Sequence, residues 1–223
     1  MSTTREQLLE MYQLLLDAFG PQHWWPGETP FEVAIGAVLT QNTSWTNVER
    51  AIANLTGAGC LDAAKLHELE AERLETLIRP AGYFRVKAKR LRNFIDWLSS
   101  EYGGDLRNLE SVDTNRLREE LLGISGIGPE TADSILLYAL NRPVFVVDTY
   151  TARVMVRHGL IGPDDLDYPQ LQDLFQANLD PDVALFNEFH ALLVRVGKDY
   201  CKPIPRCSPC PLNPLPHRIE MEA

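Results

Sequence analysis

The sequence predicts an all-α protein, because apolar residues recur at helical spacing in almost every segment. Residues 4–19 carry seven large apolar side chains at this spacing, and Gly20-Pro21 then ends the helix. Extended character is confined to residues 143–147, a stretch too short to found a sheet. With 223 residues, of which 45% are hydrophobic, the chain can bury one substantial core or two smaller ones.

Further helices are predicted in regular order along the chain. Proline is favoured in the first turn of a helix, so Pro129 marks the start of one of them. No internal repeat or low-complexity linker interrupts the series. The predicted ranges after the first helix are residues 31–39, 44–55, 61–69, 70–78, 85–101, 115–122 and 129–140.

The charge distribution gives two opposing indications about nucleic-acid binding. A net charge of -10 opposes binding to nucleic acid, because non-specific affinity for DNA comes mainly from Lys and Arg beside phosphates. Residues 79–92, however, carry six basic side chains and no acidic one. A solvated helix face is the simpler interpretation, but in so acidic a chain we favour a phosphate-facing patch that contains Lys87, Lys89 and Arg90.

We expect a cytoplasmic monomer that does not bind a membrane. No apolar run approaches the roughly 20 residues that span a bilayer, and the N-terminus leads into a charged amphipathic stretch. Three of the four cysteines fall between Cys201 and Cys210. In a cytoplasmic chain such a cluster suggests a metal or an iron-sulfur centre and not disulfides.

The most informative segment is a glycine-rich turn between two predicted helices, Leu-Leu-Gly-Ile-Ser-Gly-Ile-Gly-Pro-Glu-Thr-Ala-Asp at residues 121–133. Gly126 and Gly128 permit positive φ angles, and backbone N–H groups at such a turn can bind a DNA phosphate. An isolated Gly-Ile-Gly is usually an ordinary turn. With its apolar neighbours and the Thr131-Ala132 step, this segment resembles the hairpin of the endonuclease III family of DNA glycosylases, with Ser125 in place of the family proline.

Asp148 is the candidate catalytic residue. Residues 144–154 resemble the segment of the same family that carries its catalytic aspartate. Taken alone, Asp148 would be the N-cap of the helix that begins at Thr149, and the two roles are compatible. Breaking an N-glycosidic bond builds positive charge on the deoxyribose, which a buried carboxylate can stabilise while it orients the attacking water.

The residue before Thr131-Ala132 separates two reaction types in this family. Members that also cleave the strand carry a lysine there, which forms a Schiff base with the sugar. Glu130 cannot form an imine, although a glutamate is also simply favourable in the first turn of a helix. The resemblance therefore implies a monofunctional glycosylase with water as its nucleophile.

Tryptophans in the first quarter of the chain are candidate walls of a base pocket. The motifs Trp-Trp-Pro and Leu-Thr-Gln-Asn-Thr between Trp24 and Trp45 resemble the 3-methyladenine DNA glycosylase III branch. An alkylated purine is cationic, so electron-rich rings could select it by cation-π attraction. The resemblance implies that Trp25, Pro26 and Trp45 line the pocket; Trp24 is a further candidate, with core packing as an equal alternative.

Two polar residues are assigned by the same resemblance. Lys198 aligns with a pocket lysine of that branch, and an exposed surface lysine is the alternative interpretation. Gln41 matches the residue that enters the duplex and fills the gap left by a flipped base. A hydrogen bond at a helix terminus is the simpler role for Gln41.

The cysteine-rich tail resembles the C-terminal iron-sulfur loop of endonuclease III, which needs four cysteine thiolates. Cys201, Cys207 and Cys210 match three of them, but the fourth position is Pro216, and Cys60 is remote in sequence. His217 could complete either a 4Fe-4S cluster or a zinc site. A metal-free loop is the third interpretation.

The resemblance spans about residues 8–212 and implies two helical lobes with a substrate cleft between them. Residues 29–142 would form a six-helix barrel with the helix-hairpin-helix at about 118–140. Residues 1–28 and 143–223 would form the second lobe, with the cysteine loop at 201–217. The implied function is base excision of an alkylated purine such as 3-methyladenine from double-stranded DNA. Two alternatives are a glycosylase for oxidised pyrimidines or mismatched bases and a non-catalytic DNA-binding module.

Overall fold

The computed structural model describes residues 2–218, and all regular structure in this range is helical, as the sequence predicts. The chain divides into two compact units, Met1–Trp24 with Pro143–Ala223, and Trp25–Arg142. The sequence places the first boundary a few residues later, between residues 28 and 29. The helices are α1 (Thr4–Phe19), α2 (Pro30–Leu39), α3 (Trp45–Gly57), α4 (Ala63–Glu68), α5 (Ala71–Leu77), α6 (Phe84–Tyr102), α7 (Thr114–Gly123), α8 (Pro129–Ser134), α9 (Thr149–Arg157), α10 (Tyr168–Gln176) and α11 (Val183–Asp199).

Side-chain caps fix where many of these helices begin. A short oxygen-bearing side chain before the first turn accepts a hydrogen bond from a backbone N–H that has no partner within the helix. At α1 the cap is reciprocal, because the Glu6 carboxylate also accepts the backbone N–H of Thr3. The capping residues of this type are Thr3, Thr29, Asp62, Asp113, Asp148, Asp167 and Asp182.

Helix α2 forms the centre of the unit Trp25–Arg142. Its last seven residues, Val33 to Leu39, are all buried, and α3, α6 and α8 contact it. A helix that is apolar on every side belongs in a core. The sequence predicts one helix over 129–140, but α8 ends at Ser134 and a π-helical turn, Ile135–Ala139, continues it with every residue buried.

Lys87 lies inside this unit and not on the phosphate-facing surface that the sequence predicts for it. The residue is 1% exposed, and its Nζ donates to Leu39 O at 2.9 Å and to Ala81 O at 2.6 Å. Burial, together with the charge of Arg90, lowers the pKa of Lys87 to about 8. Lys87 therefore ties the end of α2 to the segment before α6, and it is not available to DNA.

We expect Lys87→Met to destabilise the protein by about 1–3 kcal/mol at neutral pH, because Leu39 O and Ala81 O lose their buried donor. The folded pKa of about 8 lies below the unfolded value of roughly 10.4, so the unfolded wild type binds more protons between these pH values. The wild type should thus gain stability relative to the variant as the pH rises from 8 to 10. Urea unfolding followed by tryptophan fluorescence measures both effects, and a variant as stable as wild type at every pH would contradict them.

In the other unit, residues 143–147 are not a strand. Val144 to Val147 are buried, and two glutamines of α10 take the place of a partner strand. Phe145 N donates to Gln176 Oε1 at 2.9 Å, and Gln172 Nε2 donates to Phe145 O at 2.7 Å. Buried backbone groups need such partners, so these bonds hold in place the backbone segment that leads to Asp148.

Helices α9 and α11 pack closely in the same unit. A Cβ at Gly197 would lie 2.6 Å from Tyr150 Cβ, so only glycine lets α11 come this near to α9. Across α11, Phe189 packs edge-on against Tyr12 of α1, with ring centroids 5.4 Å apart. No helix in residues 2–218 is long and apolar enough to cross a bilayer.

Candidate functional site

Asp148 stands at the start of α9, where it caps the helix as one interpretation of the sequence predicts. Its Oδ1 accepts hydrogen bonds from Thr151 N at 2.8 Å and from Thr151 Oγ1 at 2.9 Å. The side chain is 10% exposed. The cap occupies one carboxylate oxygen, so Oδ2 remains for a second task.

His190 is the partner that sequence reasoning missed. Its Nε2 lies 3.8 Å from Asp148 Oδ2, an ion-pair distance that is too long for a hydrogen bond. Burial raises the pKa of Asp148, but the interaction with His190 and the bonds from Thr151 outweigh it, so the pKa falls below its ordinary value. Asp148 is therefore a buried carboxylate that stays ionised at neutral pH.

The contact between α9 and α11 also positions Lys198. This exposed lysine places its Nζ 5.9 Å from the centroid of the Tyr150 ring, next to the close approach at Gly197. Tyr150 of α9 contacts Gly197 of α11, and His190 of α11 lies beside Asp148. Neither residue was selected from the sequence, because only the packing of α9 on α11 brings them together.

The predicted hairpin joins α7 to α8. Gly126 has a φ of +97°, whereas Gly128, the N-cap of α8, has a φ of -93° that any residue can adopt. Ile127 N donates to Ile124 O at 3.0 Å and closes the turn. Ser125, Gly126 and Gly128 are exposed, as a phosphate-binding turn requires.

Gln41, which lies between α2 and α3, is bonded to this hairpin. Its Nε2 donates to Gly126 O at 3.0 Å and to Thr131 Oγ1 at 2.9 Å, while its Oε1 accepts from Arg90 Nη1. Thr131 is 6% exposed, so its hydroxyl serves this network instead of facing outward. Of the three predicted cations of α6, Lys89 is exposed, Arg90 is half-buried and bonded to Gln41, and Lys87 is buried.

The predicted base-pocket tryptophans fall into different surroundings. Trp25 packs edge-on against Trp45 with centroids 5.0 Å apart, and its centroid lies 5.2 Å from that of Tyr138 in the π-helical turn. A Cβ at Gly36 would lie 3.3 Å from Trp25 Nε1, so the small residue makes room for the indole. Trp25 therefore contacts both Trp45 and Tyr138 within this unit.

Pro26 and Trp45 line an open groove of about 990 Å³ within the unit Trp25–Arg142. Most of its charged side chains are carboxylates, and Lys65 is the cation among its described lining residues. The acidic residues are Glu28, Glu32, Glu49 and Asp62. The half-buried Trp24 is the last residue of the other unit's first segment, so the two neighbouring tryptophans belong to different units.

The cysteine loop follows α11 and encloses a cavity. Cys201 is buried, Cys207 and Cys210 are half-buried, and all three thiols are free. His217 lines the same cavity, with its Nδ1 2.8 Å from Leu215 O. Burial raises the pKa of the Cys210 thiol, and the two neighbouring thiols raise it further.

Arg157 of α9 points into the same cavity. It is 4% exposed and donates to Cys201 Sγ at 3.1 Å, to Lys202 O at 2.7 Å and to Pro203 O at 3.0 Å. Its Nε is buried and has no hydrogen-bond partner among residues 2–218. Within residues 2–218, no three His, Cys, Asp or Glu side chains are arranged to hold a metal ion. Thiol and imidazole groups are ligands of iron-sulfur and zinc centres. The buried guanidinium of Arg157 beside Cys201 would stabilise the negative charge of such a centre.

Comparison with known proteins agrees with the resemblance found in the sequence. The family model described as HhH-GPD superfamily base excision DNA repair protein matches residues 35–179. A candidate DNA repair glycosylase of Methanocaldococcus jannaschii, MJ1434, is 46% identical over 93% of this chain and 94% of its own length. Endonuclease III of Thermotoga maritima is 30% identical over 81% of this chain and 79% of its own length.

Two solved structures have the same fold. The 3-methyladenine DNA glycosylase MagIII of H. pylori, bound to 1,N6-ethenoadenine, superposes with a TM-score of 0.72 at 30% identity, over 88% of this chain and 98% of that one. An endonuclease III bound non-covalently to DNA superposes with a TM-score of 0.80 at 24% identity, over 96% and 95% of the two chains. At 24% identity, the similarity to this endonuclease III is evidence for the fold alone.

Proposed function

Because the chain belongs to the HhH-GPD superfamily of base excision DNA repair proteins, we propose that it is a monofunctional DNA glycosylase that removes alkylated purines from double-stranded DNA. The observation that carries this proposal is the buried Asp148 carboxylate with its lowered pKa, which the sequence resemblance matches to the family's catalytic aspartate. Glu130, where strand-cleaving members carry lysine, supports the monofunctional mode.

In this mechanism Asp148 acts on the sugar and its attacking water. As the C1′–N bond breaks, the base leaves with the bonding electrons, and positive charge develops on the deoxyribose ring. The Asp148 carboxylate stabilises that charge and accepts the proton of the water that attacks C1′. The Thr151 bonds hold Oδ1 in place, so the carboxylate does not have to reorganise during the reaction.

The groove lined by Pro26 and Trp45 supports a cationic base as substrate. An indole face attracts a positive ring by cation-π interaction, and the carboxylates of the same groove favour positive over neutral ligands. An alkylated purine also has a weakened glycosidic bond, so a site without a designated general acid can release it. The ethenoadenine bound to the H. pylori relative supports a modified adenine as the substrate class.

A panel of single-lesion duplexes tests this function. We expect faster release of the cationic 3-methyladenine than of the neutral 1,N6-ethenoadenine, with the strand intact until heat or alkali breaks it, and no protein-DNA adduct after borohydride treatment. A borohydride-trapped adduct would exclude the monofunctional mechanism. Release confined to oxidised pyrimidines or mismatched bases would replace the alkylpurine assignment, and no base release at all would leave a DNA-binding module.

We further propose that the cysteine loop holds a 4Fe-4S cluster, with Cys201, Cys207, Cys210 and the imidazole of His217 as ligands. Three free thiols and one imidazole line one cavity, and Arg157 places a buried positive charge beside a ligand sulfur. A cluster of this kind would organise the loop and take no part in base release. Iron and sulfide analysis of protein purified without oxygen tests the proposal: Cys207→Ser should lose the iron, and zinc or no metal in the wild type would overturn it.

A further inference from the structure

Two carbonyl groups of the hairpin are tied down by side chains from other parts of the same unit. Asn93 of α6 donates from Nδ2 to Ser125 O at 2.8 Å. Gln41 donates from Nε2 to Gly126 O at 3.0 Å. These carbonyls belong to consecutive peptide groups, so two side chains fix the orientation of both planes.

The first of these planes decides where the Gly126 N–H points. In a trans peptide the C=O and N–H of one plane point in opposite directions. Since Asn93 holds Ser125 O towards α6, the Gly126 N–H points away from α6. Within residues 2–218 no backbone carbonyl accepts this N–H, and Gly126 is exposed. The hairpin thus presents a donor that already has a fixed direction.

Gln41 is itself held in place by two other groups. Arg90 donates to its Oε1, and Thr131 Oγ1 lies 2.9 Å from its Nε2. The methylene groups of the Arg90 side chain also lie against the hairpin, since a Cβ at Gly126 would lie 3.0 Å from Arg90 Cδ. The amide of Gln41 therefore cannot rotate away from Gly126 O without breaking these bonds.

We propose that Asn93 and Gln41 are positioning residues for DNA binding, which anchor the hairpin carbonyls so that the Gly126 N–H faces a phosphate. The inference rests on the proposed function, because it requires DNA as the ligand of the hairpin. Asn93 contributes no charge, so its effect differs from that of a cation of α6. Preorganised donors bind an anion better because the turn loses less conformational freedom on binding.

Asn93→Ala tests the proposal, with Asn115→Ala as its matched control on α7. We expect Asn93→Ala to bind an undamaged duplex about tenfold more weakly, the worth of about one hydrogen bond. Asn115 is exposed, so its variant should bind like wild type. Fluorescence anisotropy at several salt concentrations measures both. The salt slope of Asn93→Ala should match that of wild type, whereas Lys89→Ala should lower the slope by roughly 0.9 if Lys89 contacts one phosphate.

The amide resonance of Gly126 distinguishes positioning from general damage to the fold. In the wild type its chemical shift should move when DNA is added, and in Asn93→Ala, at unchanged melting temperature, that movement should be largely lost. If Asn93→Ala is unstable, Asn93→Leu keeps the branched shape of the side chain and removes the donor. Wild-type affinity in these variants, or an undiminished Gly126 shift, would overturn the inference. A wild type that does not bind DNA would instead overturn the proposed function.

Discussion

Asp148→Asn is expected to slow base release about 100- to 1,000-fold at saturating DNA, the range typical of losing one preorganised electrostatic group. Asparagine keeps the shape of the side chain, and its Oδ1 can still accept the two bonds from Thr151. The substitution removes the negative charge that stabilises the developing cation. DNA affinity should therefore change little while the chemical step is lost, and the variant should lose only the part of its folding stability that the charge contributes at neutral pH.

The measurement is a single-turnover rate on the lesion that the wild type excises. Asp182→Asn is the matched control, because Asp182 caps α11 through Leu185 N at 2.9 Å and is exposed. This control should react at the wild-type rate. An Asp148→Asn variant that stays within a fewfold of wild type would remove Asp148 from the mechanism.

The lowered pKa of Asp148 adds a pH dependence. Because the folded pKa lies below the unfolded one, the carboxylate stabilises the fold at neutral pH, and this contribution is lost as the pH falls through the folded value. The base-release rate should likewise show no loss attributable to Asp148 between pH 7 and about pH 5, since an ordinary aspartate titrates near 3.9.

At Asp148, the sequence predicts only part of what the structure shows. A short acidic side chain before an amphipathic helix predicts a cap, and the resemblance adds a catalytic role. The His190 contact could not be predicted, because the two residues are far apart in sequence and meet only when α11 packs on α9. The close approach at Gly197 that permits this packing has no signature in a single sequence.

The basic segment illustrates a different limit. A run of cations indicates charge, but it does not show which side chain points inward. Lys87 is buried because two carbonyls outside α6 accept its ammonium, whereas Lys89, two residues later, is exposed. Similarly, the glycine pair predicted the turn, but only the geometry shows that Gly126 needs a positive φ and that Gly128 does not.

Gly126→Ala is expected to weaken binding to any duplex by at least about tenfold, by two separate effects. A φ of +97° is strained for alanine, at a cost of roughly 1–3 kcal/mol. The new Cβ would also meet the Arg90 side chain, including Nε at 3.1 Å. Relieving this contact moves Arg90 away from Gln41, and so disturbs the anchored hairpin.

Gly123→Ala is the control, because nothing lies within 4 Å of the place that its Cβ would occupy and its φ is not positive. It should fold and bind DNA like wild type. A Gly126→Ala variant with unchanged affinity and stability would contradict the assignment of the hairpin as the phosphate-binding turn.

A double-mutant cycle separates the two effects of Gly126→Ala. Arg90→Ala removes the crowded side chain, so in that background Gly126→Ala should retain only its backbone strain. The stability cost of Gly126→Ala should then fall by about 0.5–3 kcal/mol, the usual coupling between residues in contact. Equal costs in both backgrounds would mean that strain alone excludes alanine. A smaller cost in the Arg90→Ala background would instead show that Arg90 and Gly126 fit each other closely, and that the hairpin depends on α6 for its shape.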